Sequence, residues 1–234
     1  MLHRSVLRAG AGAAMVGAVL GIVFNVLHPR GSFTDATGEL SLVAGSPIWL
    51  FDHFMLLWAV LISLAGLVVI ALSFASEPAA SWGRVAAFVA AASGGLGLTL
   101  IALDGMATST AAEAWSAAQS PENLGAGLAV ATIGVSLFTG LMFTFFGLTP
   151  VLIGMAVLNS AEYPRWLGYL AVGSGILGLI TGSIQYMNGI SSLTANVLFP
   201  IASLAFTVFG LIAGWTLWRR TEEVAVTTTK EAMA

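Results

Sequence analysis

An all-α membrane bundle of six helices is the fold class this sequence predicts, and three observations lead to it. Six apolar runs, at 7–27, 49–74, 85–107, 125–158, 166–187 and 194–218, each reach the roughly 20 residues that a helix needs to cross the hydrocarbon core. The mean hydropathy is +0.94 with only 8% charged residues, too apolar for a water-exposed surface on a chain this size. Between Arg8 and Arg219 there are five Lys, Arg or His and eight Asp or Glu residues, none near the middle of a run.

The first run follows Met1–Arg8, which has the charge pattern that opens a signal peptide. Its apolar stretch is too long, however, and ends in no small-residue cleavage site, so it reads as a retained span. Lipid gives helices no hydrophobic reason to associate, so small residues on one face mark where they pack. Here Gly10, Ala14, Gly17 and Gly21 form such a stripe, in steps of three and four that continue to Asn25 and His28. In the second run Asp52 shares a stripe with Ala59, Ser63 and Gly66. His53 lies about 100° around that helix and faces sideways or into an interface. The third run aligns Ala90, Gly94, Gly97, Ile101 and Asp104. Its Gly94, Gly95 and Gly97 serve packing rather than phosphate binding.

The fourth run is long and holds Pro150, which removes a backbone hydrogen bond, frees the Phe146 carbonyl and predicts a kink. Its inward stripe is Thr132, Ser136, Thr139 and Phe143. In the fifth, Ala171, Gly175, Gly178 and Gly182 lead to Gln185. The sixth repeats the spacing at Asn196, Pro200, Ser203, Thr207, Gly210 and Gly214, with a second kink expected at Pro200. Residues 219–234 read as a flexible cytoplasmic tail.

Charge sets the expected orientation. With the N-terminus inside, Arg4, Arg8, Arg84, Arg165, Arg219, Arg220 and Lys230 share one side and Arg30 stands alone on the other. That bias predicts a plasma-membrane protein with both termini cytoplasmic. The connections at 29–48 and 108–124 are then extracytoplasmic loops.

Composition excludes much. There is no cysteine, hence no thiolate catalysis and no cysteine-held metal. The only lysine is Lys230, so no retinal Schiff base forms within a span. A net charge of −3 gives no basis for nucleic-acid binding. No metal or other cofactor is expected. The expected partners are membrane lipids, a lipophilic small molecule, and a membrane protein or a second copy of the chain.

The small-residue stripes run into polar groups at one end. Asn25, His28, Asp52, Asp104 and Gln185 are expected to turn inward at the extracytoplasmic side. Asn25, Ser136, Thr139, Phe143, Gln185 and Asn196 are the candidate ligand-binding residues, around a pocket opened by the two kinks. Several readings stay open. The polar cluster ties helices together, or it holds a lipophilic ligand, or it is an acid/base site in which Asp52 and Asp104 act with His28 on a terpenoid- or lipid-like substrate. A metal site or a haem ligated by His28 and His53 is weakened by the position of His53 and by the lack of His-x-x-x-His spacing. Coupled transport is disfavoured because the polar groups sit near one surface and the halves show no repeat.

One stretch carries a resemblance. Phe146–Gly168, running on to Gly182, contains the turn Ser160-Ala-Glu-Tyr-Pro164-Arg165-Trp-Leu-Gly168 followed by a glycine-rich span. It resembles bacterial multi-span membrane proteins of the DUF4386 kind over residues 146–182. The resemblance implies a six- or seven-span bundle and no particular activity. Physically, the turn is explained by Pro164 at a helix start, Arg165 at the headgroups and Gly168 for close packing.

Overall fold

The computed structural model describes residues 2–29, 35–191 and 193–233, with side chains to Glu222. Among them every regular element is helical: α1 (Arg4–Leu27), α2 (Ala36–Gly45), α3 (Trp49–Ala71), α4 (Ala79–Ala102), α5 (Thr108–Ala117), α6 (Pro121–Phe143), α7 (Thr149–Leu158), α8 (Arg165–Asn188) and α9 (Phe199–Met233). Three π-turns, Leu103–Ala107, Thr144–Leu148 and Thr194–Leu198, join α4 to α5, join α6 to α7 and lead into α9. Among the described residues, six continuous helices are long and apolar enough to cross a membrane. The chain is a multi-pass membrane protein. Arg30 lies outside the described residues. The backbone of α9 continues through the expected tail to Met233.

The six spans form a closed ring in chain order: α1 packs on α3, α3 on α4, α4 on α6–α7, α7 on α8, α8 on α9, and α9 returns to α1. Glycine permits the closest of these approaches. A Cβ on Gly17 would fall on the Ser63 backbone, and one on Gly66 on the Ala14 backbone, so α1 and α3 touch main chain to main chain. The same holds between the π-turn before α7 and α8, where a Cβ on Gly178 would strike the Phe146 carbonyl and one on Gly175 the Gly147 carbonyl. These carbonyls precede Pro150. The expected disturbance there takes the form of the π-turn 144–148, whose Phe146 and Gly147 carbonyls lie close against glycines of α8.

The structure corrects the reading of the two long connections as loops. Residues 36–45 and 108–117 are helices. The span containing Asp104 runs from Ala79 to Ala117, 39 residues, or about 58 Å at the helical rise, so α5 projects beyond a hydrocarbon core of about 30 Å. Each capping element is locally encoded. Asp35 caps α2 by accepting the Gly38 N–H at 2.9 Å, and Ser120 with Pro121 starts α6. Asn123 donates to the carbonyls of Ala114 and Ala118 at the end of α5. Leu40 and Val43 of α2 bury against Trp49, Ala111 and Ala112 in a small core apart from the main one. This cap covers the long-loop end of the ring. The opposite, short-turn end holds the turns around 72–78 and 159–164.

Candidate functional site

Four side chains meet beneath the cap. His28, just past the end of α1, places Nδ1 2.7 Å from Asp52 Oδ2 on α3. His53, one residue on, places Nε2 3.2 Å from Asp104 Oδ2 in the π-turn that follows α4. The two imidazoles lie edge to face with centroids 5.0 Å apart. The Asp52 side chain is only 1% exposed and that of His53 5%, against 27% for His28 and 44% for Asp104. The cluster therefore runs from a half-exposed carboxylate, past two histidines in ring contact, to a buried one.

Proton positions follow from the partners. The Trp49 carbonyl, 2.8 Å from His53 Nδ1, can only accept, so Nδ1 carries a proton. Nε2 then faces a carboxylate oxygen, and that contact is attractive only with a second proton between them. The pair holds either imidazolium with carboxylate or imidazole with carboxylic acid. His28 Nδ1 stands against an Asp52 oxygen in the same kind of contact. The other oxygen of Asp52 is buried and accepts no hydrogen bond among the described residues. An orphaned carboxylate oxygen in a nonpolar interior costs about 1–3 kcal/mol, a cost that packing alone gives no reason to keep.

Trp49 and Gly105 make this geometry possible. The π-turn disrupts the regular helical hydrogen-bond ladder near Asp104, and the Trp49 indole N–H donates to the carbonyls of Asp104 and Gly105 at 3.3 and 3.1 Å. The Trp49 ring stacks obliquely on His53 with centroids 4.4 Å apart. A Cβ at Gly105 would lie 2.8 Å from that of His53, so only glycine lets the histidine sit against this turn. Above the cluster, burial pushes the Glu39 carboxyl of α2 above the ordinary carboxylate range, and the charges of Asp104 and Asp35 add to the effect.

The expected site residues divide. His28, Asp52 and Asp104 belong to one cluster, joined by His53, which its helical-wheel position had left aside. Asn25 is exposed rather than inward. Each step of four advances a stripe by about 40°, so two steps from Gly17 carry Asn25 about 80° away, whereas eleven residues return His28 to within about 20°. Ser136 and Asn196 are exposed as well. Ser136, Thr139 and Ser203 each donate to a carbonyl of their own helix. Thr139 is buried, Phe143 stands beside Gly182, and Gln185 is buried with its amide unpartnered. A shallow cavity of about 250 Å³ lies between α2 and α5, bounded by Ser41, Trp115 and Gln119 and away from all of these groups.

No family model, curated protein or solved structure matches this chain.

Proposed function

We propose that this chain is a plasma-membrane protein with both termini cytoplasmic, and that its His28–Asp52 and His53–Asp104 cluster is an extracytoplasmic acid/base site for a lipophilic molecule bearing one polar group. Kinship with the DUF4386-like proteins belongs to the same proposal and adds no activity to it. The single observation that carries the reading is Asp52, buried with one oxygen bound to His28 and the other without a hydrogen-bond partner among the described residues. A carboxyl group in such surroundings, hydrogen-bonded to the partly exposed His28, has the means to exchange a proton with a bound substrate. The lipophilic class is favoured by the rim: Leu27, Phe51 and Met106, next to the cluster in sequence, all expose apolar side chains. An apolar body approaching from the bilayer would meet these first and present its polar head to His28.

Extraction and mass spectrometry of the purified protein test the reading. A lipid or isoprenoid should be retained by wild type and lost in Asp52→Asn while the detergent melt is unchanged. Failure to retain any such molecule, together with a lowered melt in Asp52→Asn, would reduce the cluster to a structural tie. Orientation is tested separately, since the chain has no native cysteine. Cysteines at Ser41 and Ala117 should react with an impermeant reagent on intact cells and one at Ser81 should not.

A further inference from the structure

We infer that the cluster is a binding site for a divalent first-row transition metal, with His28, Asp52 and His53 as its protein ligands and Asp104 as the fourth. The inference rests on the functional reading only in sharing its site; it would add a Lewis acid to it.

Geometry comes first. One donor atom from each of His28, Asp52 and His53 lies within 4.8 Å of the other two. Around a metal with bonds of about 2.1 Å, tetrahedral donors stand about 3.4 Å apart, so the three atoms need to draw together by little more than about 1 Å. Two imidazoles with carboxylate oxygens suit zinc, iron, manganese or cobalt, and the nitrogen content disfavours calcium and magnesium. The second Asp52 oxygen is the independent sign: it is buried and accepts no hydrogen bond among the described residues, so a bound cation would satisfy it.

The surroundings are those of a metal site. Metal-bound histidines commonly donate their second ring nitrogen to a carbonyl or carboxylate, which fixes the tautomer. His53 already does so: Nδ1 donates to the Trp49 carbonyl, leaving Nε2 for the ion. Trp49 is itself fixed by the π-turn carbonyls, and Gly105 clears space for the ring. Asp104 is 3.2 Å from that same Nε2 and half exposed, free to swing onto the ion. Coordination needs each donor nitrogen and carboxylate oxygen free of a proton, with the second nitrogen of each ring protonated, and any proton now shared in the two pairs leaves to solvent. Two carboxylates and two neutral imidazoles then balance a 2+ ion.

Cobalt titration of the full-length protein, purified in detergent on a tag free of histidine, tests the site. Wild type should bind one Co²⁺ per chain with the visible absorption of a four-coordinate site, and Zn²⁺ should displace it. Asp52→Asn and His53→Gln should each weaken binding by roughly 100-fold and Asp104→Asn by roughly 10-fold, while His3→Ala, at the opposite end, changes nothing. The wild-type spectrum decides the matter even where a variant fails to fold. Absence of that spectrum, or equal affinity in a folded Asp52→Asn, overturns the inference. Lipid retention by chelator-treated wild type but not by Asp52→Asn would leave the acid/base reading standing without the metal. Metal binding with no retained lipid would do the reverse.

Discussion

At the short-turn end of the bundle, carboxylates are held by arginine. Glu162 pairs with Arg220 and also accepts the Ala75 N–H, Glu222 pairs with Arg8, and Glu77 with Arg84. Arg220 further lies over the ring of the buried Tyr163. The hydroxyl of Ser73 donates to Ile70, so Tyr163 donates to Ser73. At the long-loop end the two carboxylates nearest the spans are held by histidine instead. A guanidinium is charged at every working pH and offers no lone pair to a metal, whereas an imidazole exchanges protons and coordinates ions. The first end is built to stay closed. The second is built from groups that change state.

The largest expected effect lies at the arginine end. Arg220→Ala should lower stability by about 2 kcal/mol, because it strips the partner from a mostly buried carboxylate and uncovers Tyr163. Arg220→Lys should restore only part, since an ammonium does not reproduce the planar fork. Thermal melts in detergent read both, and neither change should alter cobalt binding. A silent Arg220→Ala would mean that this end is not the clasp described.

Next is Gly105→Ala, which should cost about 1–2 kcal/mol by pushing His53 off the π-turn. Its distinguishing mark is loss of the cobalt spectrum along with the melt. Asp52→Asn should be milder, within about 1 kcal/mol of wild type, because the carboxylate it removes already carries an unsatisfied oxygen. A collapse of several kcal/mol there would make the two ends alike and the cluster structural.

Glu39→Gln is the smallest and probes pH. The folded state holds the Glu39 carboxyl above its ordinary value of 4.5 and so favours the protonated acid. The stability this contributes is complete below that value and is lost as pH rises through the folded pKa. Wild type should therefore lose stability relative to Glu39→Gln as pH climbs from about 4.5 towards neutrality. Parallel melting curves for the two proteins would remove Glu39 from the surroundings of Asp104.

Six spans were legible because hydropathy over some 20 residues is a property of the chain alone, set by transfer from water to lipid and not by neighbours. The packing faces of Gly17, Gly66 and Gly178 were legible for a similar reason: helical periodicity places small residues on one side whatever they meet. His28, Asp52 and Asp104 could be marked as candidates because a charge within a span is costly wherever the helix docks. The short stripe stretched to Asn25 failed because steps of four drift around the helix.

Tertiary structure alone decided that His53 belongs with them. Its direction depends on Trp49 one turn earlier, on a π-turn that re-aims Asp104, and on the missing side chain of Gly105 on another helix. None of these leaves a periodic signal. The cap of α2 on α5 was hidden for the same reason, since two short helices gain their stability from the Leu40 and Ala112 contact they share and have little of their own. What a residue is exposed to within its own helix can be read along the chain; what it faces across an interface is settled only when the second helix arrives.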